Sequence, residues 1–165
     1  MRIFNLFPLS VCCNTIVLSE EKKKEMITAI RKMREDSKKI DYKKAGDAWT
    51  GDTQGFENLQ KNKIFDEFFV EVKKNINDYL EHLAIDISQL DIFIQRSWAT
   101  ISFGTETIAK HKHMQSHISF AYYLKKNKQD SNLVMFDESY KNEIMPGIFR
   151  SDTALQKGIV KKMNP

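Results

Sequence analysis

The sequence predicts an α+β fold in which helices come first and an antiparallel sheet follows. Three observations support this prediction. Apolar residues recur at helical spacing in the first half of the chain, and their spacing changes to two after residue 88. The chain has 165 residues, 41% of them hydrophobic, which is enough for one core. We therefore predict a single domain over residues 1–165, with a helical part at 1–88 and a sheet part at 89–165.

Capping and periodicity predict two helices. Ser19 can accept a hydrogen bond from the free amides of a first helical turn, and two glutamates follow it. A second helix is predicted from Ile64 to Leu83, where a continuous apolar stripe indicates core packing. The polar, glycine-containing composition of residues 36–55 predicts a loop between the helices. Trp49 in this loop either anchors it on the core or lines the rim of a pocket.

The second half of the chain contains runs that are typical of strands. These runs are residues 90–95, 98–103, 119–124 and 132–136. A polar turn at 125–131 links the last two runs and predicts a hairpin. Helices before strands favour an antiparallel sheet or sandwich that is backed by helices.

Composition and charge argue against several classes of protein. The net charge is +4, from 26 basic and 22 acidic residues mixed along the chain, which disfavours a nucleic-acid partner. No apolar run approaches the roughly 18 residues of a membrane span, so no membrane partner is predicted. The two cysteines, Cys12 and Cys13, are adjacent and poorly placed to pair with each other. Their arrangement predicts a reducing, cytoplasmic compartment.

Three of the four histidines lie close together, at His111, His113 and His117. In an extended segment the side chains alternate between faces, so His111 and His113 would project to the same side and reach one ion. His117 would join them only if no turn intervenes. Imidazole suits iron, zinc, copper and nickel. His-x-His alone is a weak pattern, with surface or hydrogen-bonded histidines as the alternative, but its position between strand-like runs favours an iron site.

The segment from Trp98 to Asp137 resembles a motif of known oxygenases. The family pattern is Trp-x-Asn, a glycine turn, and then His-x-His-Pro-Asn-Ser-x-x-Ser-Gly-x-Tyr-Tyr-Leu. This chain supplies Trp98 and then His-Lys-His-Met-Gln-Ser-His-Ile-Ser-Phe-Ala-Tyr-Tyr-Leu over residues 111–124. On these residues it is similar to the 2-oxoglutarate- and Fe(II)-dependent oxygenases of bacteria and phages.

The resemblance implies a double-stranded β-helix, the cupin-like jelly roll, with helices packed outside. It implies a dioxygenase that uses Fe(II), 2-oxoglutarate and O2 to hydroxylate a small-molecule or protein substrate that the sequence does not identify. His111 would bind the iron, and His113 stands where related oxygenases place an Asp or Glu ligand. Tyr122 and Thr100 are the expected cofactor-binding residues, with Thr100 in place of the family's Asn.

The chain also departs from the family pattern. No histidine follows His117, and the surroundings of Arg150, the only arginine after it, do not match the family's 2-oxoglutarate-binding arginine. We interpret the chain as a C-terminally truncated or degenerate member, so that a non-enzymatic jelly-roll binding module is the alternative to an active enzyme. A zinc hydrolase built on all three clustered histidines is a third hypothesis, but it lacks a His-Glu-x-x-His helix. Unpaired sheet edges lead to the hypothesis of a homodimer.

Overall fold

The computed structural model describes residues 10–37, 46–127, 133–136 and 160–163. The chain divides into two compact units, Met1–Phe120 and Ala121–Pro165. Within the described ranges, the first unit contains two α-helices and a two-stranded sheet, and the second contains another two-stranded sheet. No helix in these ranges has the length and apolar character needed to cross a membrane. The single-domain organisation stays a prediction.

The first helix, α1 (Glu20–Ser37), begins where the sequence predicts it. The Ser19 hydroxyl accepts a hydrogen bond from the Lys22 amide at 3.1 Å, which satisfies one of the amides left free in the first turn. Met26 on the predicted apolar face is buried. The predicted cap at Ser19 and the predicted burial of the apolar face at Met26 are therefore confirmed.

The second helix, α2 (Asp66–His82), lies within the predicted stretch. Two short 3-10 helices, Leu59–Lys61 and Lys63–Phe65, lead into it. The predicted core face is confirmed by its buried side chains, which are Phe65, Phe68, Phe69, Val72 and Leu80. Phe65 is only 1% exposed, so the core of the first unit includes the approach to α2 as well as the helix itself.

A short antiparallel sheet joins the loop before α2 to the chain after it. Strand β1 (Trp49–Thr50) pairs with strand β2 (Thr100–Ile101). Next to this pair, the Gly51 amide donates a hydrogen bond to the Ala99 carbonyl at 2.9 Å. These bonds fix the start of the segment that carries the candidate site residues.

Two of the predicted strands are wrong. Residues 90–95 form no strand, although Ile92 and Ile94 are half-buried while Phe93 is 74% exposed. The alternation thus reflects a segment that is covered on one side, and no strand within the described ranges pairs with it. Residues 119–124 also form no strand, so the predicted hairpin loses its first arm. The end of its turn lies outside the described residues.

In the second unit, strand β3 (Leu133–Phe136) pairs with strand β4 (Val160–Met163). The pairing is antiparallel, with Leu133 opposite Met163. The predicted strand at 132–136 is therefore confirmed over 133–136, but its partner is a different segment from the predicted one. Both short sheets of the described residues are antiparallel, as predicted. The complete double-stranded β-helix stays a prediction.

Candidate metal centre

A buried serine anchors the chain beside the candidate metal centre. Ser97 is 7% exposed, and its amide donates to the Glu57 carbonyl at 3.0 Å. Its carbonyl accepts from the Leu59 amide at 3.1 Å, and its hydroxyl oxygen accepts from the Gln60 amide at 3.0 Å. Because these bonds hold the Ser97 backbone, the neighbouring side chain of Trp98 projects from a fixed point.

The predicted ligands His111 and His113 lie side by side. Their ring centroids are 5.1 Å apart, and the ring planes meet at 81°. Residues 111–113 belong to neither a helix nor a strand, and both imidazoles are solvent-exposed. The proximity that the spacing predicts is confirmed, whereas metal binding itself stays a prediction.

The backbone orients the His111 imidazole. Its Nδ1 atom lies 2.8 Å from the Ala109 carbonyl oxygen. Because a carbonyl oxygen can only accept a hydrogen bond, Nδ1 carries the proton and donates it. In the neutral ring the lone pair is then on Nε2, which is left to bind a metal. His111 therefore makes the outer hydrogen bond that metal-binding histidines usually make.

The separation of the two rings suits neighbouring positions on one metal ion. With a metal–nitrogen bond of about 2.1 Å, each ring centroid would lie roughly 3.2 Å from the metal. Centroids 5.1 Å apart then correspond to an angle of roughly 105° at the metal. This angle lies between the about 90° of octahedral sites and the about 109° of tetrahedral sites. The centroid separation is therefore the one expected of two imidazoles whose nitrogens converge on a single non-haem iron.

Aromatic and charged side chains adjoin this histidine pair. The Trp98 ring centroid lies 5.4 Å from that of His113, and the Arg96 guanidinium carbon lies 5.5 Å from the Trp98 ring centroid. The Arg96 guanidinium also pairs with the Glu57 carboxylate at 2.6 Å. The sequence motif includes Trp98 but gives no signal for Arg96 or Glu57, because these two residues meet only through the fold.

The other predicted site residues lie elsewhere. Thr100 is in β2 with an exposed side chain, and Tyr122, in the second unit, is half-buried and outside any strand. Their cofactor-binding roles stay predictions. A turn at Met114–Gln115 precedes His117, and the described ranges contain no cluster of three His, Cys, Asp or Glu side chains able to hold a metal. The described residues therefore do not bring together the three histidines that the zinc hypothesis needs.

No protein-family model, curated protein or solved structure matches this chain. The chemistry of the site residues and the geometry of the histidine pair are therefore the guides to function.

Proposed function

We propose that this chain is an Fe(II)- and 2-oxoglutarate-dependent dioxygenase domain in which His111 and His113 bind the metal. The observation that carries the proposal is the separation of 5.1 Å between their ring centroids. The motif resemblance from Trp98 to Asp137 favours iron and 2-oxoglutarate over other metal chemistry. The jelly-roll fold, the cytoplasmic location and an organic substrate of small-molecule or protein class are parts of the same proposal.

The residues of the chain would bind and orient the reacting groups. His111 presents Nε2 because its Nδ1 donates to Ala109, and His113 offers a second nitrogen beside it. Two neutral imidazoles add no negative charge, so the metal keeps its full charge to attract an anionic keto acid. Thr100, which lies in the same unit as the histidine pair, is the proposed contact of that acid. When bound, iron and 2-oxoglutarate would supply, with O2 as the oxidant, decarboxylation to succinate and CO2 coupled to hydroxylation of a substrate C–H bond, with one oxygen atom entering succinate and the other the new hydroxyl group.

A non-enzymatic metal- or partner-binding module is the second candidate, and the exposure of the site favours it. His111 and His113 are both exposed, and the adjoining Met114 is 78% exposed. Oxygenase chemistry needs a site from which bulk water is excluded. An open pair of imidazoles can bind a divalent ion without that enclosure.

Decarboxylation of 2-oxoglutarate distinguishes the two candidates. Purified protein given Fe(II), O2 and 2-oxoglutarate labelled at its C1 carboxyl should release labelled CO2 even without substrate, because the decarboxylation can run uncoupled. His111→Ala and His113→Ala should abolish the release. His82→Ala changes an exposed histidine at the end of α2 and should leave the release unchanged.

The outcomes separate cleanly when metal binding is measured in parallel by calorimetry. Metal binding without release of CO2 would contradict the dioxygenase and support the binding module. If wild-type protein binds no divalent metal at all, the metal centre is wrong for both candidates.

A further inference from the structure

We propose that Trp98 is a positioning residue that presents the His113 imidazole for metal binding. This proposal rests on the metal site proposed at His111 and His113. The contact between the Trp98 and His113 rings orients His113, and neither the spacing of the ligands nor the motif predicts this contact.

The two histidines are held by different means. A hydrogen bond from Nδ1 to the Ala109 carbonyl, 2.8 Å long, orients His111. The contacts of His113 are aromatic, with Trp98 at 5.4 Å and an interplanar angle of 43°, and with the His111 ring. Ring contacts of this kind favour particular orientations and restrict the rotamers of the side chain. His113 therefore takes from Trp98 the orientation that His111 takes from Ala109.

Trp98 is itself well held. The preceding residue, Ser97, is buried and hydrogen-bonded through its amide, carbonyl and hydroxyl groups to residues 57–60. Arg96 contacts the indole and is paired with Glu57. The Arg96 and Glu57 side chains are 48% and 41% exposed, so their ion pair by itself adds little to the stability of this arrangement. The buried backbone at Ser97 is the stronger constraint on Trp98.

A ring that is ordered before the metal arrives loses less conformational freedom when the metal binds. Replacing the outer residues that orient metal-binding histidines typically weakens metal affinity by about 10- to 100-fold. Because His113 is exposed, we expect the lower end of this range, about 10-fold, when Trp98 is removed.

A calorimetric titration with Co(II) tests the proposal on the full chain. Trp98→Leu should weaken Co(II) binding by about 10-fold, while Trp98→Phe, which keeps an aromatic ring, should stay within about 2-fold of wild type. Phe103→Leu is the control, because it removes another aromatic ring, 56% exposed, from the same part of the chain. Equal affinities for wild type, Trp98→Leu and Phe103→Leu would overturn the positioning role while leaving the metal site intact.

A metal-free measurement separates the failure of this proposal from the failure of the metal site. In NMR spectra of the apo protein, the indole ring current should displace the His113 ring protons from their random-coil positions. In the Trp98→Leu variant, the His113 ring protons should have random-coil chemical shifts. Random-coil positions in the wild-type protein would overturn the proposal even if Trp98→Leu fails to fold. Displaced protons with no Co(II) binding would overturn the metal site and, with it, the role of Trp98 in metal binding.

Discussion

At the residue scale, a buried hydrogen bond ties the end of α1 to β1. The Trp49 Nε1 group donates to the Ser37 hydroxyl oxygen at 2.8 Å, and the Ser37 hydroxyl donates to the Arg34 carbonyl at 2.8 Å. Trp49 is 7% exposed and Ser37 is 4% exposed. Of the two interpretations that the sequence leaves open for Trp49, the anchor on the core is confirmed.

Removal of the Ser37 hydroxyl should leave the indole N–H of Trp49 buried without its partner. We expect Ser37→Ala to lower the free energy of unfolding by about 1–3 kcal/mol, which is the cost of an unpaired buried polar group. Urea denaturation followed by circular dichroism measures this change. Ser116→Ala, on an exposed serine, should have no measurable effect. A midpoint unchanged by Ser37→Ala would show that water replaces the lost partner.

The histidine pair shows what can be predicted at this scale. The proximity of His111 and His113 follows from a spacing of two, which is a local property of the chain. The contact between Trp98 and His113 joins residues on either side of a turn at Gly104–Thr105. No local pattern encodes it, because the direction of the intervening chain decides whether the two rings meet.

At the element scale, Gly51 allows the loop before α2 to approach β2. A Cβ atom at this position would lie 3.0 Å from the Phe56 carbonyl oxygen and 3.4 Å from the Ala99 carbonyl oxygen. Both contacts are with backbone atoms, so relief requires a shift of the main chain. We expect Gly51→Ala to destabilise the fold by about 1–3 kcal/mol, as overpacking of a close contact usually does.

The urea midpoint of Gly51→Ala measures this cost. Thr105→Ala, at an exposed turn position after β2, is the control and should keep the wild-type midpoint. A Gly51→Ala protein with the wild-type midpoint would mean that the close approach of the loop to β2 is not needed for stability.

The 3-10 helix that follows α2 has a charged cap with a predicted pH dependence. Asp86 caps Ile87–Gln89 by accepting hydrogen bonds from the Ser88 hydroxyl at 2.7 Å and the Ser88 amide at 3.1 Å. These bonds hold the pKa of the Asp86 carboxyl below its usual value of 3.8. A carboxyl with a lowered pKa in the folded state stabilises the fold above its usual pKa, and this contribution is lost as the pH falls through the lowered value.

Asp86→Asn keeps an acceptor oxygen and removes only the charge. We therefore expect it to lower the urea midpoint at neutral pH. The difference from wild type should persist down to about pH 5 and shrink below about pH 4. Asp91→Asn, an exposed aspartate further along the chain, is the control. A difference that is constant from neutral to acid pH would show that the Asp86 charge does not contribute.

The helices could be predicted from the sequence, whereas most of the strands could not. The start of α1 follows from Ser19 and its core face from its own apolar spacing, since a helix forms its hydrogen bonds within one segment. A strand needs a partner that is distant in sequence. Thr100 pairs with Thr50, and Leu133 pairs with Met163. Residues 90–95 carry the alternation of a strand, but no strand among the described residues pairs with them.

At the scale of the whole molecule, the sequence predicts a homodimer that forms through an unpaired sheet edge. In the first unit, β2 is described with one partner, β1. Unpaired amide and carbonyl groups on an exposed edge can pair with another chain. Light scattering after size exclusion should then give twice the chain mass of 19.3 kDa. A mass of 19.3 kDa at micromolar concentration would contradict the homodimer.

Metal binding at the histidine pair should also be visible in the stability of the folded chain. A ligand that binds only the folded state raises the free energy of unfolding by about 2.7 kcal/mol at a concentration of 100 Kd. For a chain of 165 residues, each 1 kcal/mol corresponds to about 2–4 °C in Tm, so we expect Co(II) to raise Tm by roughly 5–10 °C. Differential scanning calorimetry measures this rise.

Variants of the site residues assign the rise in Tm to the histidine pair. His113→Ala should remove it, His82→Ala should keep it, and Trp98→Leu should need about 10-fold more Co(II) for the same rise. His111 and His113 belong to the first unit, so a transition that comes from the second unit alone should not move. An equal rise in wild type and His113→Ala would place the metal elsewhere on the chain.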